Sequence, residues 1–442
     1  MRGMNTICLV LDRCHAGYLG PYGNAWIETP SIDRLAAESF LFDQCLLDCP
    51  QLESLYRSYW HAWHPLHRGG TPSSQAGLPA LMTASGLATI LMTDDPAIVA
   101  SPASGGFGLI ETIEPAAGSE VADEIGQTHF AHCFARIVDW LGTAREPFFL
   151  WSHLAGLGTL WDAPLEFRFH YHEEGDPQPP LSAEVPSRLL EKDFDPDDVL
   201  GYQQVYAGQI SLLDQCLGGL LEFLDTNPLG QETLLVVLSA RGFPLGEHRR
   251  LGGCDEALYE ELIHTALMLR FPNVRPEAIG DVQDRDAAAR SQTAAQPADV
   301  SPGGHAGRIA EAARSQALVQ PADLWATLLD WHGIADRPAV PWAGSLMPVI
   351  HDETDSLHDR LCLVDGSGNA AIRTPAWYLR EGTEPELYAK PDDRWEVNNV
   401  VGRCDDVVQM LRQVLADYIE HLRSGRMDAL PPLEEVLRIG LE

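Results

Sequence analysis

Short, uninterrupted apolar runs recur along the chain, and a stretch with helical spacing follows each of them. Runs of this length without polar alternation are typical of strands that are buried on both faces of a parallel sheet. Strands that alternate with amphipathic helices predict an α/β domain with a mainly parallel central sheet and helices on both faces. The strand-like runs are Ile7–Leu11, Ala88–Met92, Phe148–Trp151, Leu234–Leu238 and Leu267–Phe271, and the clearest helical stretch is 206–224.

The pattern changes after about residue 345, where short segments are separated by turn signals. Ala370–Thr374 and Trp377–Arg380 predict a small antiparallel sheet, and helical spacing returns over 407–423 and 433–441. We therefore predict a large α/β domain over residues 1–345 and a small α+β domain over residues 346–442.

One segment departs from globular composition, because residues 273–307 are nearly free of large apolar side chains. It contains part of a tandem duplication, in which the motif of Ala288–Asp299 returns in Ala312–Asp323. The second copy carries Leu318 and Val319 where the first has alanines. We therefore predict an inserted first copy outside the fold and a second copy that packs on the core.

The charge of the chain restricts its partners. Acidic residues outnumber basic ones 64 to 30, which gives a formal net charge of −34 over 442 residues. Proteins that bind nucleic acid or anionic membrane surfaces present basic stripes, and this sequence has no run rich in lysine and arginine. No stretch approaches the roughly 20 apolar residues of a membrane span. We expect neither a nucleic-acid nor a membrane partner, and the sequence does not specify a protein partner.

The nine cysteines are an odd number and lack the paired spacing of a zinc site. Several lie inside apolar runs, which indicates buried free thiols in a reducing compartment. The first apolar run is also too short for a signal-peptide core. We expect a cytoplasmic location.

In α/β sheets, sites form beyond the carboxyl ends of the strands. Four groups of polar residues follow the apolar runs directly and are therefore candidates for a site. They are Asp12-Arg13, Thr93-Asp94-Asp95, Ser152-His153 and Ser239-Ala240-Arg241.

The opening segment 9–24, followed by 29–38, resembles the amino-terminal part of the sulfatases of the alkaline-phosphatase superfamily. Further blocks follow in the order of that family and extend the resemblance to about residue 400. They are Phe148–His153 with Trp161–Pro164, Gly246–His248 with Leu258–Glu261, Gln320–Asp330, and Glu386–Tyr388 with Glu396–Asn399. The resemblance implies the sulfatase fold and a site for sulfuric-ester hydrolysis, with a divalent cation held by carboxylates.

Carried over by position, the resemblance makes Asp12 the first metal carboxylate, with Arg13 beside it. The family's nucleophile motif, Cys or Ser followed by x-Pro-Ser-Arg, falls on the segment from Glu53 to Arg57, so Glu53 replaces the nucleophile. The Asp-His metal pair falls on Ala240 and Arg241, which carry no metal-ligating atoms.

Two substrate contacts of the family are also replaced, a histidine by Gly158 and a lysine by a residue near Asp255. We therefore predict a catalytically degenerate site that binds no Ca²⁺ or Mg²⁺.

Several of these residues have two interpretations. Asp12 with Arg13, Arg57 and Arg241 forms either a closed ion-pair network or an anion-receptive cleft. Glu53 is either an acid favoured by the helix dipole or a general base or nucleophile. His153 is either a polar strand-end residue or a ligand contact.

The spacing of His61, His64 and His67 suggests a metal site, but Pro65 interrupts the turn and two flanking tryptophans favour an aromatic packing face. We predict packing rather than metal binding for these histidines.

The functional prediction is a sulfatase-like pseudoenzyme with an arginine-lined cleft for a small anionic ligand, such as a sulfate or phosphate ester. The candidate binding residues are Arg13, Arg57, His153 and Arg241. The alternative is an arylsulfatase-type hydrolase with a rebuilt site that uses Glu53 and Arg57, in which case Ca²⁺ or Mg²⁺ is expected at Asp12.

Overall fold

The structure is a computed structural model that describes residues 4–67, 77–114, 120–145, 147–253, 257–272 and 313–441. The predicted insertion 273–307, the first copy of the duplication and Asp255 lie outside the described residues.

The described chain is organised around an eight-stranded sheet in the order β10-β2-β9-β7-β1-β5-β3-β4. Its central strands are the apolar runs of the sequence, and all eight residues of β1 are buried. The strands are β1 Asn5–Asp12, β2 Phe40–Leu46, β3 Ala88–Thr93, β4 Leu109–Thr112, β5 Phe148–Leu154, β7 Thr233–Arg241, β9 His264–Arg270 and β10 Ala313–Val319.

The sheet is mixed but mostly parallel. Strand β9 pairs antiparallel with both β2 and β7, and the other five pairings are parallel. The runs Ile7–Leu11 and Leu234–Leu238 lie on the adjacent strands β1 and β7. The predicted α/β fold with a mainly parallel sheet is confirmed.

Helices connect the strands and cover the sheet, as the periodicity predicts. The longest, Pro196–Thr226, contains the predicted stretch 206–224 and is capped by Asp195, whose side chain accepts a hydrogen bond from the backbone N–H of Asp197. The other α-helices are Pro30–Ala37, Leu52–His61, Leu78–Ala84, Pro96–Ala100, His129–Thr143, Gly156–Thr159, Leu165–Phe169, Glu260–Ile263, Pro321–Trp331, Met347–Ile350, Asp405–Ser424 and Glu435–Ile439. Short 3₁₀ helices cover Ala16–Tyr18, Gly20–Tyr22, Pro102–Ser104, Ile125–Gln127, Pro228–Glu232, Glu247–Arg249 and Met427–Ala429.

The hydrophobic core has two parts, one on each face of the sheet. Successive side chains of a strand point to opposite faces, so Cys8 and Val10 of β1 join one cluster while Ile7, Leu9 and Leu11 join the other. The long helix packs in the second cluster.

A four-stranded antiparallel sheet follows residue 345, as predicted. Its hydrophobic residues belong to the same core cluster as Cys8 and Val10, so it packs on one face of the large sheet. The helices Asp405–Ser424 and Glu435–Ile439 match the two predicted helical stretches. The strands are β11 Leu361–Val364, β12 Ala370–Arg373, β13 Trp377–Arg380 and β14 Glu386–Ala389. A separate antiparallel pair is formed by β6 Ser187–Leu189 and β8 Arg250–Gly252.

The second copy of the duplication is part of the fold, since Leu318 and Val319 are buried in β10 and the helix Pro321–Trp331 follows. All eight cysteines among the described residues are free thiols, and six of them are buried. No helix within the described ranges is both long and apolar enough to cross a membrane.

Candidate functional site

The candidate site lies at the carboxyl ends of β1, β5 and β7. We use the name Asp12 site for Asp12, Arg13, His153 and Arg241, which these strand ends bring together. Asp12 is the last residue of β1, Arg241 is the last of β7, and His153 is the last but one of β5. The three side chains therefore lie at the carboxyl ends of neighbouring strands, where sites of α/β sheets form.

Asp12 and Arg241 form a buried two-point ion pair. Arg241 donates from Nε to Oδ1 of Asp12 at 2.9 Å and from Nη2 to Oδ2 at 2.6 Å. Asp12 is 3% and Arg241 7% exposed, so the pair is nearly removed from water. Both carboxylate oxygens of the first metal position implied by the resemblance are thus bonded to a guanidinium group.

An irregularity between β1 and β7 creates this pairing. Leu11 is opposite Ser239, but Asp12 is opposite Arg241, so the register skips Ala240. Ala240 is fully buried in the hydrophobic cluster on one face of the sheet. A bulge of this kind redirects the following side chain, and here it aligns Arg241 with Asp12.

Burial acts to raise the pKa of Asp12, but Arg241, Arg13 and His153 together hold it below its usual value. Asp12 is therefore an anion at neutral pH, and the guanidinium groups beside it balance its charge.

Arg13 turns the chain out of β1 with a positive φ of 62°. Its backbone carbonyl accepts a hydrogen bond from the Tyr206 hydroxyl at 2.7 Å, and the same hydroxyl accepts from the backbone N–H of His15. The buried Arg13 side chain lies across Gly158, where an added Cβ would be 2.7 Å from Cγ of Arg13. Gly158 is the position at which the resemblance places a substrate histidine, and here it leaves room for Arg13.

His153 belongs to a buried polar chain. Its Nδ1 lies 2.6 Å from the Tyr56 hydroxyl, and Nε2 lies 3.7 Å from Oδ2 of Asp95. Trp151 donates from Nε1 to the same hydroxyl at 3.3 Å. Burial acts to raise the pKa of Asp95, but the nearby His153 ring and the backbone N–H of Ala97 lower it overall. His153 is thus a hydrogen-bonded strand-end residue in this structure.

Glu53 and Arg57 lie on the helix Leu52–His61 and pair with each other. Nη2 of Arg57 is 2.6 Å from Oε1 of Glu53, and the side chains are 37% and 58% exposed. Glu53 is an acidic residue in the first turn, as the helix-dipole interpretation predicts. The groups that lower the pKa of Asp12 do not include Arg57, which pairs with Glu53 at the surface instead.

The neighbouring histidines pack as predicted. His64 is buried, and its Nε2 lies 3.1 Å from the carbonyl oxygen of Cys362 while Nδ1 accepts from the backbone N–H of Leu66. His67 packs against Trp63 and Trp342.

Sequence reasoning missed the role of Tyr56 and Tyr206, whose hydroxyls organise the strand ends. Each is distant in sequence from its partners, so only the fold brings them together. Both tyrosines occupy helical positions whose spacing predicts packing in the hydrophobic core.

The arrangement is an α/β fold with a mainly parallel sheet and a charged cluster at the carboxyl ends of its central strands. A family model for Sulfatase matches residues 4–334, and the chain belongs to the sulfatase family. Among curated proteins, none matches this chain.

Solved structures support the same fold. The phosphonate monoester hydrolase of Agrobacterium radiobacter is 16% identical with a TM-score of 0.68, and the alignment covers 96% of each chain. The enzyme of the same name from Silicibacter pomeroyi is 16% identical with a TM-score of 0.65 and 98% of each chain covered. A 2-O GAG sulfatase is 17% identical with a TM-score of 0.69, over 99% of this chain and 96% of that one.

Proposed function

We propose that this chain is a catalytically degenerate member of the sulfatase family that binds a small anionic ligand through arginine side chains. The observation that carries the proposal is the buried two-point ion pair between Asp12 and Arg241. It uses the carboxylate that the metal-dependent reaction of the family requires.

The donor set does not fit Ca²⁺ or Mg²⁺. These ions need several oxygen ligands, usually including more than one carboxylate. Both carboxylate oxygens of Asp12 already accept hydrogen bonds from Arg241, and Arg13 adds a second positive charge beside them. Ala240 has no ligand atom and is enclosed by hydrophobic side chains. A dication at this place would face two guanidinium groups, so we derive no catalytic step through a metal.

The position of the family's nucleophile also argues for degeneracy. A nucleophile needs a neighbouring base, a lowered pKa or a metal to be activated. The Glu53 side chain is instead 58% exposed, and its charge is balanced by Arg57.

The anion-binding part of the proposal starts from Arg57. Its side chain is more than one-third exposed and donates from Nη2 to Glu53, and a guanidinium group carries further N–H donors that can bind a ligand. A sulfate, phosphate or ester group can be bound by such donors in two-point geometry. Arg13 and Arg241 are buried deeper, and in this proposal they contribute positive potential rather than the first contact.

We also propose a cytoplasmic location. The free thiols of the described cysteines support it, because reducing compartments preserve thiols.

The test has two measurements. Purified protein is assayed with an aryl sulfate and a phosphate monoester, with and without Ca²⁺ or Mg²⁺, and sulfate and phosphate binding are measured by calorimetry. We expect no turnover above that of Asp12→Ala, and anion binding that Arg57→Ala weakens. Arg412→Ala is the matched control, since Arg412 also pairs with a glutamate and is 40% exposed.

Turnover that is lost in Asp12→Ala or Arg57→Ala would instead support the alternative, a sulfuric-ester hydrolase with a rebuilt site. Equal and negligible anion affinity in wild type and Arg57→Ala would contradict the anion-binding part of the proposal. The Asp12 site would then be a structural ion-pair network only.

A further inference from the structure

A second polar cluster lies outside the Asp12 site, on the side of β3. Asp94 directly follows β3, and His129 and Cys133 lie one turn apart on the helix His129–Thr143. Residues four positions apart share one face of a helix, so both side chains point to Asp94. All three are buried, with exposures of 9%, 4% and 0%.

The three donor atoms are close enough to share one ion. Nε2 of His129 is 2.6 Å from Oδ2 of Asp94 and 3.5 Å from Sγ of Cys133, and all three atoms lie within 4.8 Å of one another. Tetrahedral zinc with bonds of about 2.0–2.3 Å separates its ligand atoms by roughly 3.3–3.7 Å. The sulfur–nitrogen distance already fits this range, and the oxygen–nitrogen distance has to lengthen by only about 0.7 Å.

Backbone groups hold two of the ligands in place. Oδ1 of Asp94 accepts a hydrogen bond from the N–H of Ala155 at 2.7 Å, which leaves Oδ2 directed at His129. The N–H of His129 donates to Oδ2 of Asp162 at 2.6 Å. Such outer contacts orient metal ligands and fix their side chains before the metal arrives.

The local charge favours a cation. Burial raises the pKa of the Cys133 thiol, and the neighbouring carboxylates of Asp94 and Asp162 raise it further. A dication would reverse this effect, because the Asp94 carboxylate and the Cys133 thiolate together balance two positive charges. Thiolate, imidazole and carboxylate ligands together suit Zn²⁺ better than Ca²⁺ or Mg²⁺.

We propose that Asp94, His129 and Cys133 form a zinc-binding site that is separate from the Asp12 site. The imidazole binds through the Nε2 lone pair, and the thiol proton is released to solvent when the sulfur–zinc bond forms. The fourth position is left to a water molecule. Because Asp95 adjoins Asp94 and faces His153, the metal would also fix the turn that supports the Asp12 site.

The experiment uses full-length protein that has been dialysed against a chelator under reducing conditions. Co²⁺ replaces Zn²⁺ as a spectroscopic probe, and a thiolate-to-cobalt charge-transfer band reports a Co–S bond. We expect one equivalent of Co²⁺ to produce the band and Zn²⁺ to remove it by competition. Zinc should also raise the melting temperature of the wild type.

Cys133→Ser should abolish the band, and Asp94→Asn should weaken Zn²⁺ binding more than about 100-fold, since even supporting residues contribute 10–100-fold. Cys404→Ser and Asp12→Asn are the controls. They change a cysteine that is only partly buried and the carboxylate of the Asp12 site, and both should leave the band unchanged.

Absence of the band in the wild type, or an undiminished band in Cys133→Ser, would overturn the proposal. The three residues would then be an internal hydrogen-bonded chain from carboxylate to imidazole to thiol. The wild-type spectrum decides this even if a variant fails to fold.

Discussion

Replacing Arg241 by methionine tests how much the ion pair of the Asp12 site contributes to the free energy of unfolding. The variant leaves the Asp12 carboxylate 3% exposed and without its two-point partner. Removing one member of a buried ion pair typically costs about 3–5 kcal/mol, because the remaining charge is both desolvated and uncompensated. We expect Arg241→Met to lose stability in that range at neutral pH.

A double-mutant cycle separates the pairing from other losses. Asp12→Ala should cost less than Arg241→Met, since the remaining guanidinium still lies 3.4 Å from the carbonyl oxygen of Pro50. In the double variant the Asp12 carboxylate is no longer left without its partner, so we expect a coupling energy of about 2–3 kcal/mol. The exposed pair of Arg412 with Glu381 is the control, and its coupling should be close to zero.

The assay is equilibrium denaturation followed by fluorescence and circular dichroism. The neighbouring cations lower the pKa of Asp12 from 3.8, so its pairing stabilises the fold above about pH 4 and is lost as the pH falls through the lowered value. The deficit of Arg241→Met should therefore shrink in acid. The reasoning would be refuted if the stability losses of Asp12→Ala and Arg241→Met added up to that of the double variant. A loss below about 1 kcal/mol for Arg241→Met at neutral pH would refute it as well.

Three further outcomes follow from buried polar groups. Burial lowers the pKa of His64 from 6.5 to about 4, so the unfolded chain takes up its proton first and stability falls as pH drops through that window. His64→Gln should make this fall shallower in denaturation series, and an unchanged slope would contradict it. Tyr206→Phe removes the hydroxyl that bonds the Arg13 carbonyl and should cost about 1–3 kcal/mol in the same assay, whereas wild-type stability would dismiss this role. Lys390→Met removes the cation between two buried glutamates and should cost about 3–5 kcal/mol at neutral pH, and a neutral effect would show the glutamates protonated.

The fold was predictable where apolar runs are long and buried, as in β1 and β7. The periodicity missed β2, β4 and β10, for different physical reasons. In β2 the polar pair Asp43 and Gln44 interrupts the apolar run. Strand β4 is an edge strand with mostly exposed residues, and the first half of β10 is polar and partly exposed. The reversed direction of β9 has no local signal either, because an apolar run does not encode which way its neighbours run.

The candidate site was predictable in position more than in contacts. The resemblance placed Asp12 and Arg241 at strand ends, but the skipped register at Ala240 that aligns them depends on pairing between distant strands. The Asp94 cluster is similar, since Cys133 has no paired cysteine spacing and its partner Asp94 is 39 positions away in the sequence. Local patterns cannot show which carboxylate a helix face meets.

The reversed strand β9 determines where the chain can be altered without disturbing the Asp12 site. Arg270, at its end, is opposite Leu235, whereas Asp12 is opposite Arg241, roughly 20 Å further along the strand direction. Phe40 pairs with Leu269 on one side and with Ala313 on the other, so these two residues are only about 10 Å apart. A linker of about four residues is therefore long enough to connect the end of β9 to the start of β10. The same edge is a suitable place for a fused reporter or for new termini in a circular permutation.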